Sequence, residues 1–387
     1  MRIGIDARFL GPQGIGIGRY TQELVENLEK VDGSTSSPRG KKNEYVIFLR
    51  KENFDLYRPK SKNFKKVLAD VHWYTLKEQI VLPSIFSRED LDLLHVPHFN
   101  APMFYWGKTV ITIHDLIKHE HGGESATTLI YPIYLIKQFG YRFVIARASK
   151  KARAIITPSN FVKEKVVKTF KIDPKKIYVT YESGTLSGKE RTREEKGVEE
   201  VLGKYKITKP YFLYVGNVYP YKNVGRLLDA IKILNEEKGK GVQLVLVGAR
   251  DVFRQRLERE IVEKGVLKYV VLTGYVTDAD LIDLYKEAEA HVQPSLSEGF
   301  GLTSVEAMSL GAPVVQSDAS CLPEVAGDAA LYFDPYNPSD MAEKLAKVLG
   351  NKKLRESLSK KGLKRAKDFS WERMAKETLE VYKSAVR

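Results

Sequence analysis

Residues 297–306 read SEGFGLTSVE, so Glu298 and Glu306 stand eight positions apart with the turn Gly299-Phe300-Gly301 between them. Two acids around a glycine turn are not what an apolar core calls for, and the stretch reads as one built to hold a polar ligand. Its surroundings, AHVQPSLSEGFGLTSVEAMSLG, give strand, loop and helix in that order. Gly299 and Gly301 let backbone amides come close to a ligand. A helix opening near Leu302 offers unsatisfied N–H groups, and the positive end of its dipole, to a diphosphate. Glu306 lies inside that helix and is placed to accept hydrogen bonds from a ribose diol, as acidic residues do in other nucleotide sites.

Three further stretches carry candidate chemistry. TVITIHDL delivers His114 and Asp115 to the carboxyl end of a buried strand, where parallel sheets place reactive groups. YFLYVGNVYPYKNVGRLLDA reads strand, turn, helix, with Gly216 and Asn217 at the turn and Lys222 just ahead of an amphipathic helix, where a lysine can reach a phosphate. RIGIDARFLGPQGIGIGRYTQELVENL reads strand, glycine-rich loop, helix, and its Gly14, Gly16 and Gly18 allow close backbone approach. It is not the dinucleotide fingerprint, because neither Gly14 nor Gly16 begins a G-x-G-x-x-G. Each motif taken singly has a bland alternative, a satisfied structural histidine or a surface lysine.

The elements that must hold these residues are short β-branched and aromatic runs separated by stretches of helical period. In the first half they are RIGID, YVIFL, LLHV, TVITI, AIIT and IYVT; in the second YFLYVG, VQLVLVG, YVVLTG, AHVQP, PVVQS and ALYF. Near-continuous apolar strands alternating with helices predict parallel sheets covered on both faces. The fold expected is α/β, with a first domain over 1–185, a charged, strand-poor linker region over 186–208 and a second domain over 209–369. A helix over about 370–387, with Ser370 as its N-cap, is expected to pack back on the first domain. Ligands of such sheets bind beyond the carboxyl ends of the strands, so two facing domains would share a cleft.

Composition narrows the class. The 387 residues suit two domains of ordinary size, and no signal peptide or run of eighteen uninterrupted apolar residues is present, so the expected location is cytoplasmic. The single cysteine, Cys321, excludes internal disulfides and cysteine metal clusters and reads as a bystander. Residues 101–180 hold 14 Lys and Arg against 5 Asp and Glu. Interleaved with Tyr131, Tyr134, Phe139, Tyr141 and Phe143, that basic region fits an anionic membrane surface, phosphorylated substrates or nucleic acid, with a plain solvated surface as the alternative. Two D-x-D patterns, Asp90 with Asp92 and Asp278 with Asp280, have structural explanations as a strand approach and the acidic first turn of a helix. No metal is expected, since amides and Lys222 can serve the same charge.

The ordered set GIGRY, HD, YVGN…KN, E-x7-E and SDASCLPEVAGDAALYFDP resembles the family 4 retaining glycosyltransferases of the GT-B fold, two Rossmann-like domains facing across a cleft. The similarity is to bacterial mannosyltransferase-like members of surface-polysaccharide or glycolipid assembly, over nearly the whole chain. It implies that Glu306 binds the donor ribose, that Glu298 faces the donor hexose, and that the backbone at Gly299, Phe300, Gly301 and Leu302 holds its hydroxyls or the diphosphate. Lys222 would neutralise the leaving diphosphate, with Gly16 and Gly18 close by and Gly216 and Asn217 lining the same site. His114 would touch the sugar near the reacting carbon with Asp115 supporting it, and Tyr275 and Val276 would border the base. Many members carry an arginine where this chain has Asn217, and another where it has Tyr221, so phosphate charge falls on Lys222, or on Arg19 or Arg226.

The resemblance further implies retention of configuration, GDP-mannose as the favoured donor with UDP-sugars as the alternative, a glycan or lipid-linked acceptor, and peripheral placement on the inner face of the cell membrane. No nucleic-acid partner is expected. A nucleotide-sugar epimerase of the same fold and a basic nucleic-acid-binding protein are the rival readings, and neither explains Glu298 together with Glu306.

Overall fold

The computed structural model describes residues 1–11, 14–33, 43–120, 130–184, 197–248 and 252–387. The chain divides into two compact units, one formed by 1–119, 129–182 and 370–387, the other built around 183–369.

The first unit carries a seven-stranded sheet: β1 (Arg2–Asp6), β2 (Glu44–Leu49), β3 (Phe64–Leu68), β4 (Leu93–Val96), β5 (Thr109–Thr112), β6 (Ala154–Thr157) and β7 (Ile177–Val179). Their order is β3-β2-β1-β4-β5-β6-β7 with every neighbouring pair parallel. Six of these strands coincide with the apolar runs read from the sequence. β3 was missed, because FKKVL carries two lysines. It is an edge strand: Lys65 reaches Glu89, and Lys66 lies 4.1 Å over the Phe54 ring. Edge lysines of this kind discourage pairing with a further strand.

The second unit holds β8 (Tyr211–Val215), β9 (Gln243–Val247), β10 (Val270–Gly274), β11 (Ala290–Gln293), β12 (Val314–Ser317) and β13 (Ala330–Phe333). These form a parallel sheet in the order β10-β9-β8-β11-β12-β13. In each sheet the order turns back beside the first strand, between β1 and β4 and between β8 and β11. Such switch points part the loops at the carboxyl edge and leave a crevice there.

Of the expected linker region, residues 186–196 lie outside the described residues. Val198–Tyr205 is a helix of the second unit, tied to Asp280 by Lys204 at 2.7 Å and the Tyr205 hydroxyl at 2.9 Å. The C-terminal helix Trp371–Val386, whose N-cap Ser370 accepts from the Arg373 N–H, lies in the first unit against helix Ile15–Asp32. There the Tyr382 hydroxyl meets His95 Nδ1 at 2.6 Å beneath the sheet, and both side chains are fully buried.

Candidate functional site

In the second unit the two sides of the switch point bring together residues far apart in sequence. After β8 the chain turns through Pro220–Lys222, and Asn223, in the left-handed conformation, starts helix Val224–Lys232. The Asn223 side-chain amide donates to the carbonyls of Pro294 and Pro335, and Leu296 N–H donates to Tyr221 O, fastening this turn to the loop after β11. Lys222 Nζ therefore lies 2.7 Å from Glu298 Oε1. The same oxygen accepts from Ser295 Oγ at 2.7 Å and from the Gln293 amide. Three donors converge on Oε1, and Oε2 accepts from none of them. Lys222 balances the carboxylate charge and keeps two N–H bonds for another partner.

The loop closes into helix Leu302–Ser309 through Gly301, which has φ +83° and no capping side chain. A Cβ there would come 2.6 Å from Leu322 Cδ2, so glycine is needed on both counts. The N–H groups of Leu302 and Thr303 open the helix without intrahelical partners. Glu306 is buried in the next turn, where Tyr285 OH donates to its Oε2 at 3.3 Å. Gly184 packs against the same turn, so close that a Cβ would meet Glu306 N at 2.3 Å.

Beside this cluster, a positive-φ glycine follows β8 (Gly216, φ +145°) and β9 (Gly248, φ +102°) and ends β10 (Gly274, φ +71°). They form a low backbone row at the carboxyl edge. Asn217 follows the first, and its buried Oδ1 has no hydrogen-bond partner. Tyr214, raised above its ordinary pKa by burial and by the charge of Glu298, keeps its proton and donates to Asn217 O. Tyr275 is exposed and Val276 buried, at the end of β10, two strands from β8. Arg226, one substitute for the missing arginines, is engaged by Asn223 Oδ1 at 2.9 Å and lies over the Tyr336 ring. Cys321 is more than a bystander in packing: fully buried, it donates to Glu298 O, and burial raises its pKa well above the ordinary value.

In the first unit, Gly16 and Gly18 lie within helix Ile15–Asp32, not in a loop ahead of it. Gly18 is a packing residue, since a Cβ would meet Gly11 O at 2.2 Å and Phe9 O at 2.7 Å. Gly16 is exposed with nothing within 4 Å of that position. Arg19, three residues on, is half-buried. Tyr20, the next residue, sets its ring edge-on to His114 with centroids 4.6 Å apart.

His114 is held at both nitrogens, Nδ1 by Glu182 Oε1 at 2.9 Å and Nε2 by Pro97 O at 3.1 Å. Both partners only accept, so each nitrogen donates and the ring carries two protons. Burial pulls the imidazole down, but the Glu182 hydrogen bond and charge, the Pro97 carbonyl and the charge of Asp115 outweigh it and hold His114 above its ordinary value. Glu182 and Pro97 take both ring nitrogens, so Asp115 supports His114 through its charge, while its Oδ1 accepts from Ile117 N at 2.9 Å. Glu182 lay in plain view, an acid three residues beyond β7, but only the sheet order makes it a neighbour of His114.

The two D-x-D patterns are occupied structurally. Asp92 accepts from Arg2 N at 2.7 Å, and Asp280 is held by Lys204 and Tyr205. Helix Tyr131–Lys151 turns apolar side chains outward: Ile136, Phe139 and Phe143 are 73%, 76% and 54% exposed, with Lys137, Arg142 and Arg147 around them. Among the described residues no helix is long and apolar enough to cross a membrane.

Comparison with known proteins bears on both units. A profile described as Glycosyltransferase Family 4 matches residues 15–182, and one described as Glycosyl transferases group 1 matches residues 195–365. The chain is 37% identical over 402 aligned residues to the O-antigen chain mannosyltransferase B of Escherichia coli, covering 95% of this chain and 96% of that protein. Among solved structures it is similar to sucrose-phosphate synthase from Thermosynechococcus elongatus, with a TM-score of 0.72, 18% identity and 99% and 98% of the two chains covered. It is similar also to WaaG, a glycosyltransferase involved in lipopolysaccharide biosynthesis, at TM-score 0.70 and 16% identity over 98% and 99% of the chains. These structural likenesses identify the fold as GT-B, as the sequence motifs implied.

Proposed function

The chain belongs to glycosyltransferase family 4, and on that premise we propose that it moves mannose from GDP-mannose to a hydroxyl of a growing glycan or lipid-linked acceptor, retaining configuration and using no bound metal. The observation that carries this reading is the meeting of the Lys222–Glu298 pair with the open start of helix Leu302–Ser309 and the buried Glu306 behind it.

Breaking the bond from the anomeric carbon to the diphosphate builds negative charge on the leaving group and positive charge on the sugar, as in glycoside cleavage. Lys222 and the amides of Leu302 and Thr303 suit the first charge; they are fixed before the reaction and need little reorganisation. Glu298 Oε2 suits a hydroxyl of the hexose, and Glu306 the ribose diol. The unpartnered Asn217 Oδ1 can accept from a hydroxyl of the nucleotide sugar, and the phosphate charge is left to Lys222. The resemblance would have His114, held protonated by Glu182, touch the sugar near the reacting carbon. In a retaining transfer the acceptor oxygen bonds to the anomeric carbon on the face the diphosphate leaves, and its proton passes to a diphosphate oxygen. No protein nucleophile is consumed.

Mannose is favoured because the E. coli relative is named as a mannosyltransferase of the O-antigen chain. UDP-sugars are the alternative. The outward apolar stripe of helix Tyr131–Lys151, ringed by lysine and arginine, fits the headgroup region of an anionic bilayer, supporting peripheral placement at the inner membrane face. The decisive experiment is thermal-shift binding with GDP, UDP, ADP and their sugars, with and without magnesium. Stabilisation by GDP and GDP-mannose that survives chelation supports the reading, and a strict magnesium requirement or no response to any nucleotide defeats it.

A further inference from the structure

The carboxyl edge of the first sheet carries a row of side chains in strand order: Trp73 after β3, Arg50 after β2, Phe9 after β1, His98 after β4 and His114 after β5. At the far end of the row lies a cavity of about 330 Å³ lined by Arg8, Phe9, Leu10, Arg50, Glu52 and Asn53, among others. Phe9 stacks on Trp73 with centroids 4.5 Å apart, and the Arg50 guanidinium lies 4.8 Å over the same indole. Arg50 is 8% exposed; it donates to Glu52 through Nη2 at 3.1 Å, while its buried Nε has no acceptor.

The cavity is a built feature. Asn53 Nδ2 donates to the carbonyls of Ala7, Arg8 and Leu10, and its Oδ1 accepts from Arg50 N, so the loops after β1 and β2 are clamped together. Beneath them Arg8, fully buried, bridges Asp6 and Glu78. Glu78 in turn takes the Tyr74 N–H at 2.8 Å and so helps hold Tyr74 at φ +62°, a conformation non-glycine residues rarely adopt. Backbone strain kept in place by such bonds gathers at ligand sites.

We infer that this cavity is a remote subsite for a neutral pyranose of the acceptor glycan, distinct from the sugar whose hydroxyl reacts. The chemical class follows from charge and shape. Two guanidinium groups face three carboxylates, Asp6, Glu52 and Glu78, so no surplus positive charge is left for a phosphate or an acid. A hydroxyl oxygen is the acceptor that Arg50 lacks, and the Phe9 ring, backed from outside the cavity by Trp73, offers an apolar wall to a sugar face. Length follows from topology. From β2 to β5 is three strand steps, about 14 Å, more than a single hexose spans. With His114 near the reacting carbon, as proposed above and as this inference requires, an occupant of the Arg50 cavity must be joined to the reacting sugar through at least one other.

The test uses the full chain with GDP-mannose as donor, and methyl mannoside and mannose oligosaccharides of increasing length as acceptors. Acceptor KM, kcat and acceptor-free hydrolysis of the donor are measured. The wild type should show KM falling with acceptor length. Arg50→Lys, which keeps the charge but loses the Nε–H, and Trp73→Ala should both flatten that series. Each should raise KM for the longest acceptor about tenfold, with kcat and donor hydrolysis intact. Variants that keep the wild-type length dependence, a wild type indifferent to length, or one that hydrolyses donor but uses no mannoside would overturn the subsite while leaving the transferase reading in place. No binding or hydrolysis of any nucleotide sugar would overturn both.

Discussion

Lys222 Nζ lies 2.7 Å from Glu298 Oε1, although 76 positions separate the two residues, and each is held in place by separate bonds: Asn223 fastens the lysine turn, while Ser295, Gln293 and Ser320 fasten the glutamate loop. The pair is electrically balanced before any substrate arrives, so a diphosphate entering the site meets a lysine already oriented. Lys222→Ala should therefore lower kcat by about 10²–10³-fold while changing donor affinity much less. Steady-state kinetics beside a nucleotide titration would separate the two, and equal losses in both would remove Lys222 from the transition state.

Glu306 contributes at binding instead. Glu306→Ala removes the carboxylate assigned to the ribose diol and should weaken nucleotide affinity about tenfold, about 1.4 kcal/mol, seen by calorimetry. Glu306→Gln, which still accepts from Tyr285, should recover part of the loss. An unchanged affinity in both variants would move the ribose elsewhere.

Histidines of the first unit push stability in opposite directions with pH. His114 is held above the ordinary value by Glu182, so its contribution is complete below about pH 6.5 and is lost as pH rises through the raised value. His95, buried between Tyr382 and Thr112, is pushed down to about 3, so its contribution is present above about pH 6.5 and drains away as pH falls toward 3. That acid loss is on the order of 4 kcal/mol for full burial. Urea midpoints measured across pH should lose part of their alkaline slope in Glu182→Gln and part of their acid slope in His95→Gln. Slopes unchanged in both would contradict the protonation states assigned here.

The two glycines at the start of helix Ile15–Asp32 should respond differently to a methyl group. Gly18→Ala forces a Cβ onto the Gly11 and Phe9 carbonyls and should cost at least about 1–3 kcal/mol, lowering Tm by several degrees. Gly16→Ala meets nothing and should be neutral, or stabilising by up to about 1 kcal/mol. Lower activity in the stable Gly16→Ala protein would place its open backbone near substrate.

For the outward stripe of helix Tyr131–Lys151, replacing Ile136, Phe139 and Phe143 together by serine should cut sedimentation with anionic vesicles by more than about tenfold without lowering Tm, since these side chains bury little. Vesicle binding equal to the wild type would return the face to ordinary solvent exposure.

Much of this was legible in the sequence because parallel strands buried on both faces announce themselves as near-continuous apolar runs, and twelve of the thirteen strands among the described residues coincide with such runs. The Glu298 loop was legible too, since glycine next to acid has few structural uses. What the sequence hid was lateral order. Glu182 and His114 are neighbours because β5, β6 and β7 lie side by side, and Gly248 and Gly274 join Gly216 because β10, β9 and β8 do. Ser295 and Gln293 were passed over for a related reason: a polar residue after a strand acquires its meaning only from the lysine that a different loop brings to it.

The helix Trp371–Val386, with Tyr382 under His95, belongs to the unit that is otherwise finished by Glu182. During synthesis the ribosome must add nearly 190 further residues before that helix exists, a delay of about 10–40 s at ordinary elongation rates. Over that interval the apolar bed on helix Ile15–Asp32 has no cover. Truncations that remove this helix should therefore destabilise the first unit even where every candidate site residue is spared.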